Sequence, residues 1–427
     1  MNYTQKSRIE QITDSTLIIG IDVAKATHVA RAQDHRGIEL GKRLIFDSNH
    51  RGFEALNTWI KELQRSYYKT TAVVGMEPTG HYWLTMAHYL LQKEIKAVVV
   101  NPAHVKKSKE LDDNSPTKND IKDARVIAQL VKDGRYSEPN ILTGKYAELR
   151  VAMVQRERLM RSLIEIKNQV HNWLDRYFPE YPTVFKDWEG KASMIALKNF
   201  PLPQDVVNLG MEGIVTQWKS EVKRAVGIKR AIKLIETAST SVGISLGQTM
   251  ARREIEMLLE QYFLLTKQLD ELAQDVVTIL EEIPGAVQML AIPGLGWITV
   301  AGFLAETGDL QAYSHPQQIL KLAGLNLKEN SSGKHKGQTR ITKRGRPRIR
   351  ALLFRSMLVL VSKNQQFKQL HQYYINRKDN PLRKKQSIIA LCGKLIRVLF
   401  AIGKKSVDYD PHKLLGKERL MQFQLVV

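Results

Sequence analysis

The chain has 427 residues, 43% of them hydrophobic, and 65 Lys and Arg against 43 Asp and Glu give it a net charge of +22 at neutral pH. That length and apolar content suffice for two or three domains with real cores, and the positive excess points to a polyanionic partner, nucleic acid before anionic membrane. The single cysteine, Cys392 in "IIALCGKLI", excludes an internal disulfide and a cysteine-rich zinc site.

The first ~140 residues read as an α/β domain. "LIIGIDVA" (17–24) is an apolar, β-branched strand, followed closely by "THVARAQD" and then "GKRLIFDS", an antiparallel meander. An amphipathic helix, "HRGFEALNTWIKELQRS", opens after Asp47, Ser48 and Asn49, all plausible caps. "TAVVGMEPTG" is a buried-type strand ending in a Pro/Gly break; the helix "WLTMAHYLLQKE" and the strand "KAVVVNP" follow. A Lys-rich loop then leads to a helix beginning near Asp120. The order β-β-β-α-β-α-β-α, antiparallel first and crossing over later, predicts a ribonuclease-H-like sheet. A Rossmann domain would alternate from the outset, and "GIDVAK" lacks the three-glycine phosphate fingerprint.

Two long heptad-like helices, 140–177 and 247–283, flank a helix-rich stretch at 179–245 whose role the sequence does not give. They predict an antiparallel coiled-coil arm or a dimer element. From Pro284 the character changes again, to a mostly α C-terminal domain. "AIPGLGWITVAGFLAETGDL" carries a Gly-x-Gly turn, Gly294 and Gly296, before a small-residue helix, the pattern of a helix-hairpin-helix whose amides hold a DNA phosphate. A plain tight turn between packed helices fits it equally. Residues 327–350 then hold nine Lys and Arg against Glu329 alone, broken by Gly, Ser and Pro. Lys334, Lys336, Arg340, Lys343, Arg344, Arg346 and Arg348 are its candidate phosphate contacts. The last third is helical to its end. The domains expected are 1–140, 141–283 and 284–427.

Four carboxylates demand a common explanation. In "PTKNDIKDARVIAQL", Asp120 and Asp123 sit one turn apart at a helix start, on one face. Acids there suit the helix dipole and capping, so the pair alone decides nothing. Asp22 lies in the middle of the first strand, where an unpaired charge is costly. Glu77 ends the fourth strand. In a ribonuclease-H-like sheet these two strands are neighbours and the later helix packs across them, which brings the four acids together. Hard oxygen ligands in such a cluster suit Mg²⁺, with Mn²⁺ plausible, and a two-metal site stabilises both attacking and leaving oxygens in phosphoryl transfer.

"GIDVAK", "GMEPTGHYW" and "NPAHVK…PTKNDIKDARVIAQL" resemble the RuvC-like DEDD domain of the bacterial insertion-sequence transposases called bridge recombinases. "IPGLGWITVAGFLAETGDL" and "LKLAGLNLKENSSGKHKGQTRITKRGRPRIRALLF" resemble the family's C-terminal transposase domain. The resemblance implies Mg²⁺ at Asp22, Glu77, Asp120 and Asp123. It also implies a serine nucleophile that joins covalently to DNA, here Ser332 before Gly333, with Ser331 a close competitor. Further implied are donor and target duplex DNA as substrates, an element-encoded guide RNA, and homodimers that pair into tetramers with a site composed between subunits. A cytoplasmic, nucleoid-associated place in a bacterium and no membrane partner are expected, since no apolar run reaches the roughly 18–20 residues that span a bilayer. The opening segment also lacks a secretory apolar core. His81, after Glu77, is a further candidate proton donor. Two alternatives stay open: a structure-selective nuclease using water as nucleophile, and a nucleic-acid scaffold whose acids are structural.

Overall fold

The computed structural model describes residues 5–112, 120–221, 227–328, 331–332, 335–336 and 339–416; the side chains of 110–112, 120, 121, 221, 331, 332, 335 and 336 lie outside the description. It divides into two compact units, residues 1–142 and 143–427.

The first unit is a mixed α/β layer structure. After a short helix α1 (Gln5–Glu10) come β1 (Thr16–Asp22), β2 (Thr27–Gln33), β3 (Leu44–Asp47), α2 (His50–Ser66), β4 (Thr71–Met76), α3 (Tyr82–Gln92), β5 (Lys96–Val100), α4 (Pro102–Asp112), α5 (Asp120–Lys132) and β6 (Tyr136–Ser137). They form one sheet in the order β3-β2-β1-β4-β5-β6. The first three strands are antiparallel, β1, β4 and β5 run parallel, and β6 returns antiparallel to β5. β1 is central and buried along almost its whole length, which is why it reads as an unbroken apolar run. Its alternate residues feed two cores: Leu17, Ile19 and Ile21 pack with α2 and α3, and Ile18 with α5. Asn49 caps α2, its side-chain oxygen accepting from Gly52 N at 2.9 Å.

The Lys-rich stretch expected as a loop is instead helix α4. Asn101 caps it, accepting from Ala103 N at 2.9 Å, and Pro102 takes the first helical position, where its missing N–H costs nothing.

The second unit is mostly helical: α6 (Gly144–Tyr177), α7 (Lys191–Asn199), α8 (Pro203–Glu221), α9 (Ile228–Ser239), α10 (Gln248–Glu281), α11 (Ala286–Leu290), α12 (Trp297–Thr307), α13 (Pro316–Leu322), α14 (Pro347–Lys363), α15 (Gln365–Asn376), α16 (Lys384–Lys405) and α17 (Pro411–Leu415). Four two-residue strands fall between α13 and α14: β7 (Leu327–Lys328), β8 (Ser331–Ser332), β9 (His335–Lys336) and β10 (Arg340–Ile341), paired β7 with β10 and β8 with β9. The two heptad-like helices pair with each other as an antiparallel arm within one chain. Trp173 Nε1 donates to Ala251 O at 2.8 Å and Arg176 meets Glu254 at one end, while Lys145 meets Glu282 at the other. Two hydrophobic cores share this arm. One, built on Trp173, Phe178, Tyr181 and Trp218, is closed by α7, α8 and α9; the other takes Leu149, Ala152, Val276 and Leu280 and is completed by α11 to α17.

Among the described residues, α16 alone is long and apolar enough to cross a membrane, contrary to the expectation of no such run. Its apolar side, including Leu391, Cys392, Leu395 and Leu399, is fully buried in the second of these cores. Burial pushes the Cys392 thiol up to about 12, so it stays protonated and inert. The expected helical ending at 417–427 lies outside the described residues.

Candidate active site

Asp22 is the last residue of β1, half-buried, not in its middle as the sequence suggested. The register across the parallel pair matches Gly20 with Gly75 and Ile21 with Met76, so Asp22 and Glu77 follow side by side on neighbouring strands. The two stretches, Gly-Ile-Asp and Gly-Met-Glu, repeat one design. Residues two apart share a strand face, so Asp22 lies on the face of Gly20. That face belongs to α5. A Cβ at Gly20 would lie 2.0 Å from Ala124 O and 2.5 Å from Ala128 N, and one at Gly75 2.4 Å from Val131 Cγ2. The glycine pair lets α5 lie directly on the sheet, and Asp123, the residue before Ala124, comes down beside the strand ends.

Asp123 is 7% exposed. Its Oδ2 lies 2.5 Å from Lys109 Nζ, and among the described residues its buried Oδ1 has no hydrogen-bond partner. Burial pushes the Glu77 carboxyl above the usual glutamate range; the nearby Lys109 charge opposes this and Asp123 reinforces it. Glu77, Asp123 and Lys109 therefore form one electrostatic group. Lys109 was missed in the sequence, hidden among the lysines of what looked like a loop.

Of the four acids, Asp22, Glu77 and Asp123 have described side chains. Asp120 begins α5 one turn before Asp123, but its side chain lies outside the description, and among the described residues no three His, Cys, Asp or Glu gather as a ready-made metal cluster. What the described part holds still fits a divalent cation. A buried carboxylate oxygen without a partner among the described residues, beside a second carboxyl whose pKa burial raises, is the electrostatic deficit that a hard cation relieves. His81 is exposed and lies tilted against Tyr82, ring centroids 4.3 Å apart.

In the second unit the backbone of Ser331 and Ser332 forms β8, with Ser332 opposite His335 and Ser331 opposite Lys336. The side chains of Ser331, Ser332 and Lys336 lie outside the description, as does Lys334 altogether. Arg340, Lys343 and Arg344 are exposed, and Lys343 adopts a left-handed backbone, φ +53°. Arg346 and Arg348 have acid partners already. Arg346 Nη1 donates to Glu306 O at 2.5 Å and lies 3.5 Å from Glu306 Oε2, and Arg348 Nε lies 3.0 Å from Glu157 Oε2. Glu306 is 6% exposed and also bound by Arg150 Nη1. This buried carboxylate ties α6, α12 and the start of α14 together. Its signal was the same as that of Asp22, an acid inside the apolar run "WITVAGFLAETGDL". The glycine turn links single-turn α11 to α12, with Gly294 at φ +87° and Gly296 as N-cap of α12, a geometry both readings share.

Comparison with known proteins bears on both units. Residues 19–179 match the family model of the IS110-type DEDD domain, described as "Transposase", and residues 287–372 match that described as "Transposase IS116/IS110/IS902 family". The chain is 23% identical over 398 residues to an insertion element IS116 protein of Streptomyces clavuligerus, covering 92% of this chain and 96% of that one. It is 22% identical over 404 residues to the pilin gene-inverting protein of Moraxella bovis, at 93% and 98% coverage. It is also 19% identical over 312 residues to the IS1111A transposase of Coxiella burnetii, at 71% of each. A mixed sheet bearing acids at its strand ends, joined to a basic helical unit, is here that of a transposase, a DNA-processing enzyme. The chain belongs to the IS110/IS116 family of insertion-sequence transposases, whose two models together match more than half of it.

Proposed function

We propose that the protein cleaves and rejoins donor and target duplex DNA through a metal-dependent site in the first unit and a serine nucleophile in the second. The observation that carries the metal half is the side-by-side exit of Asp22 and Glu77 from β1 and β4 beneath Asp123. Strand order 3-2-1-4-5, with three antiparallel strands followed by parallel crossovers, supports reading the sheet as ribonuclease-H-like.

Asp22, Glu77, Asp123 and, by its place in the helix, Asp120 would hold Mg²⁺, or Mn²⁺ in its stead. Bound there, the ion supplies Lewis-acid stabilisation of charge on the phosphate oxygens. The chain's own groups do the rest. The carboxylates fix the site at the rigid ends of two central strands, and the desolvated Glu77 sits where water is limited. The Ser332 hydroxyl attacks a DNA phosphorus; the ester bond to the neighbouring deoxyribose breaks, and its oxygen leaves as a hydroxyl after taking a proton. The phosphoester is conserved in the serine link until a hydroxyl of another strand reverses the step. Arg340, Lys343 and Arg344, with Lys334 and Lys336, lie along the phosphates. The family resemblance supports an element-encoded guide RNA, a homodimer or homotetramer as the working unit, and action at the bacterial nucleoid. The gene-inverting relatives support rejoining without loss of DNA.

The test is a denaturing gel of the protein with its element's RNA, labelled donor DNA and Mg²⁺. A protein–DNA adduct that disappears in both Ser332→Ala and Asp22→Ala is the expected result. Cleavage with no adduct, persisting in Ser332→Ala, would instead make it a nuclease using water.

A further inference from the structure

Four arginines of α6 and the start of α14 are matched with acids. Arg150 and Arg346 bind Glu306; Arg161 and Arg348 bind Glu157. Arg156 and Arg355 differ. Arg156, half-buried on α6, places its guanidinium carbon 5.5 Å from the centre of the Trp297 ring. Arg355, exposed on α14, lies near enough for its charge to act on Arg156. The next residue, Ser356, shares a 2.7 Å hydrogen bond with Thr299, one turn into α12, and a Cβ on Gly302 further along α12 would touch both Leu352 of α14 and Met153 of α6. Among the described residues neither arginine forms an ion pair with a carboxylate, and burial together with the Arg355 charge pulls the Arg156 guanidinium below its usual range. Two like charges close together, one of them partly desolvated, leave a deficit of negative charge.

We infer that Arg156 and Arg355, with Trp297 as platform, form a clamp for one phosphodiester of duplex DNA. The indole face holds the Arg156 guanidinium by cation–π attraction and leaves its N–H edge free to donate. Two guanidinium groups on neighbouring helices suit a tetrahedral oxyanion, which isolated arginines bind less specifically. The clamp adjoins the Gly294–Gly296 turn, where a Cβ on Gly296 would meet nothing within 4 Å, so a DNA backbone has room to approach. The choice of DNA as the ligand rests on the transposase reading; the clamp itself needs neither the metal site nor the serine.

The test uses the full chain and a fluorescent DNA duplex in EDTA, so that metal and serine chemistry play no part, and follows anisotropy over a salt series. Arg156→Gln and Arg355→Gln are each expected to weaken binding about three- to tenfold and to lower the slope of log affinity against log salt by about one. Trp297→Leu is expected to weaken binding less and leave the slope intact. The thermal midpoints of the two arginine variants should match or exceed the parent's, because each arginine removed relieves a like-charge repulsion. Unchanged affinity and slope in the folded Arg355→Gln variant would overturn the clamp. So would a loss confined to structured RNA with duplex binding intact.

Discussion

Lys109 Nζ lies 2.5 Å from Asp123 Oδ2, and the pair fastens α4 to α5 beside Glu77. The chain thus supplies its own acid cluster with one positive charge, from a helix that the sequence disguised. Neither partner is well solvated: the lysine side chain is 27% exposed and that of the aspartate 10%. Water therefore screens the pair only partly.

Removing the lysine should leave Asp123 as an uncompensated buried charge. Lys109→Met is expected to destabilise the first unit by about 3 kcal/mol, typical of breaking one side of a buried pair. Mg²⁺ should recover part of that loss if it takes the same carboxylates. Denaturant melts with and without Mg²⁺ measure both; an unchanged midpoint would mean that the pair contributes nothing.

The two strand glycines should differ in tolerance. A methyl group at Gly20 meets helix backbone at 2.0 Å, whereas at Gly75 it meets the end of a valine side chain at 2.4 Å. Backbone cannot step aside and a side chain can. Gly20→Ala is expected to cost about 3 kcal/mol, the upper range for overpacking, with DNA cleavage lost, and Gly75→Ala about half as much. Equal melting temperatures for the two variants would contradict the close approach of α5 to β1.

Glu306→Ala should loosen the start of α14. It leaves Arg150 and Arg346 without their shared acid and is expected to cost about 3 kcal/mol. Trypsin should then cut faster within 340–346, and a digestion time course read by mass spectrometry would register the change.

Asp34 gives the first unit an acid-sensitive contribution. Burial alone would raise its pKa, but N–H groups of Ile38 and Arg36 and the Arg36 side chain outweigh that and hold the carboxyl below the usual aspartate range. Its folded-state pKa is depressed, so the stability it contributes is present above the ordinary aspartate pKa and disappears as pH falls through the folded value. The stability gap between the parent and Asp34→Asn should therefore be constant near neutrality and close in acid. Urea melts across the acid range test this.

The sheet of the first unit was readable because its strands alternate or run apolar in ways that only a two-sided sheet explains, and because Asp22 breaks such a run. The same breach at Glu306 went unread, since a helix interior hides one acid more easily than a strand does. Helix α4 was written into Asn101 and Pro102, but its lysines spoke louder than its cap. Lys109 itself was beyond reach: which lysine of a basic segment turns inward depends on where α5 lies, and that depends on Gly20. The pairing of the two heptad helices was legible, though its register, marked by ends such as Lys145 with Glu282, was not.

That arm has a mechanical consequence. Each of its helices is 34 residues long, about 50 Å of continuous backbone, and each begins in one hydrophobic core and finishes in the other. Neither core can melt without stripping partners from the helices that the other needs. The second unit should accordingly lose its structure in one cooperative step. A lesion at Trp173, near one end, would register as lost protection from hydrogen exchange around Leu280, near the other.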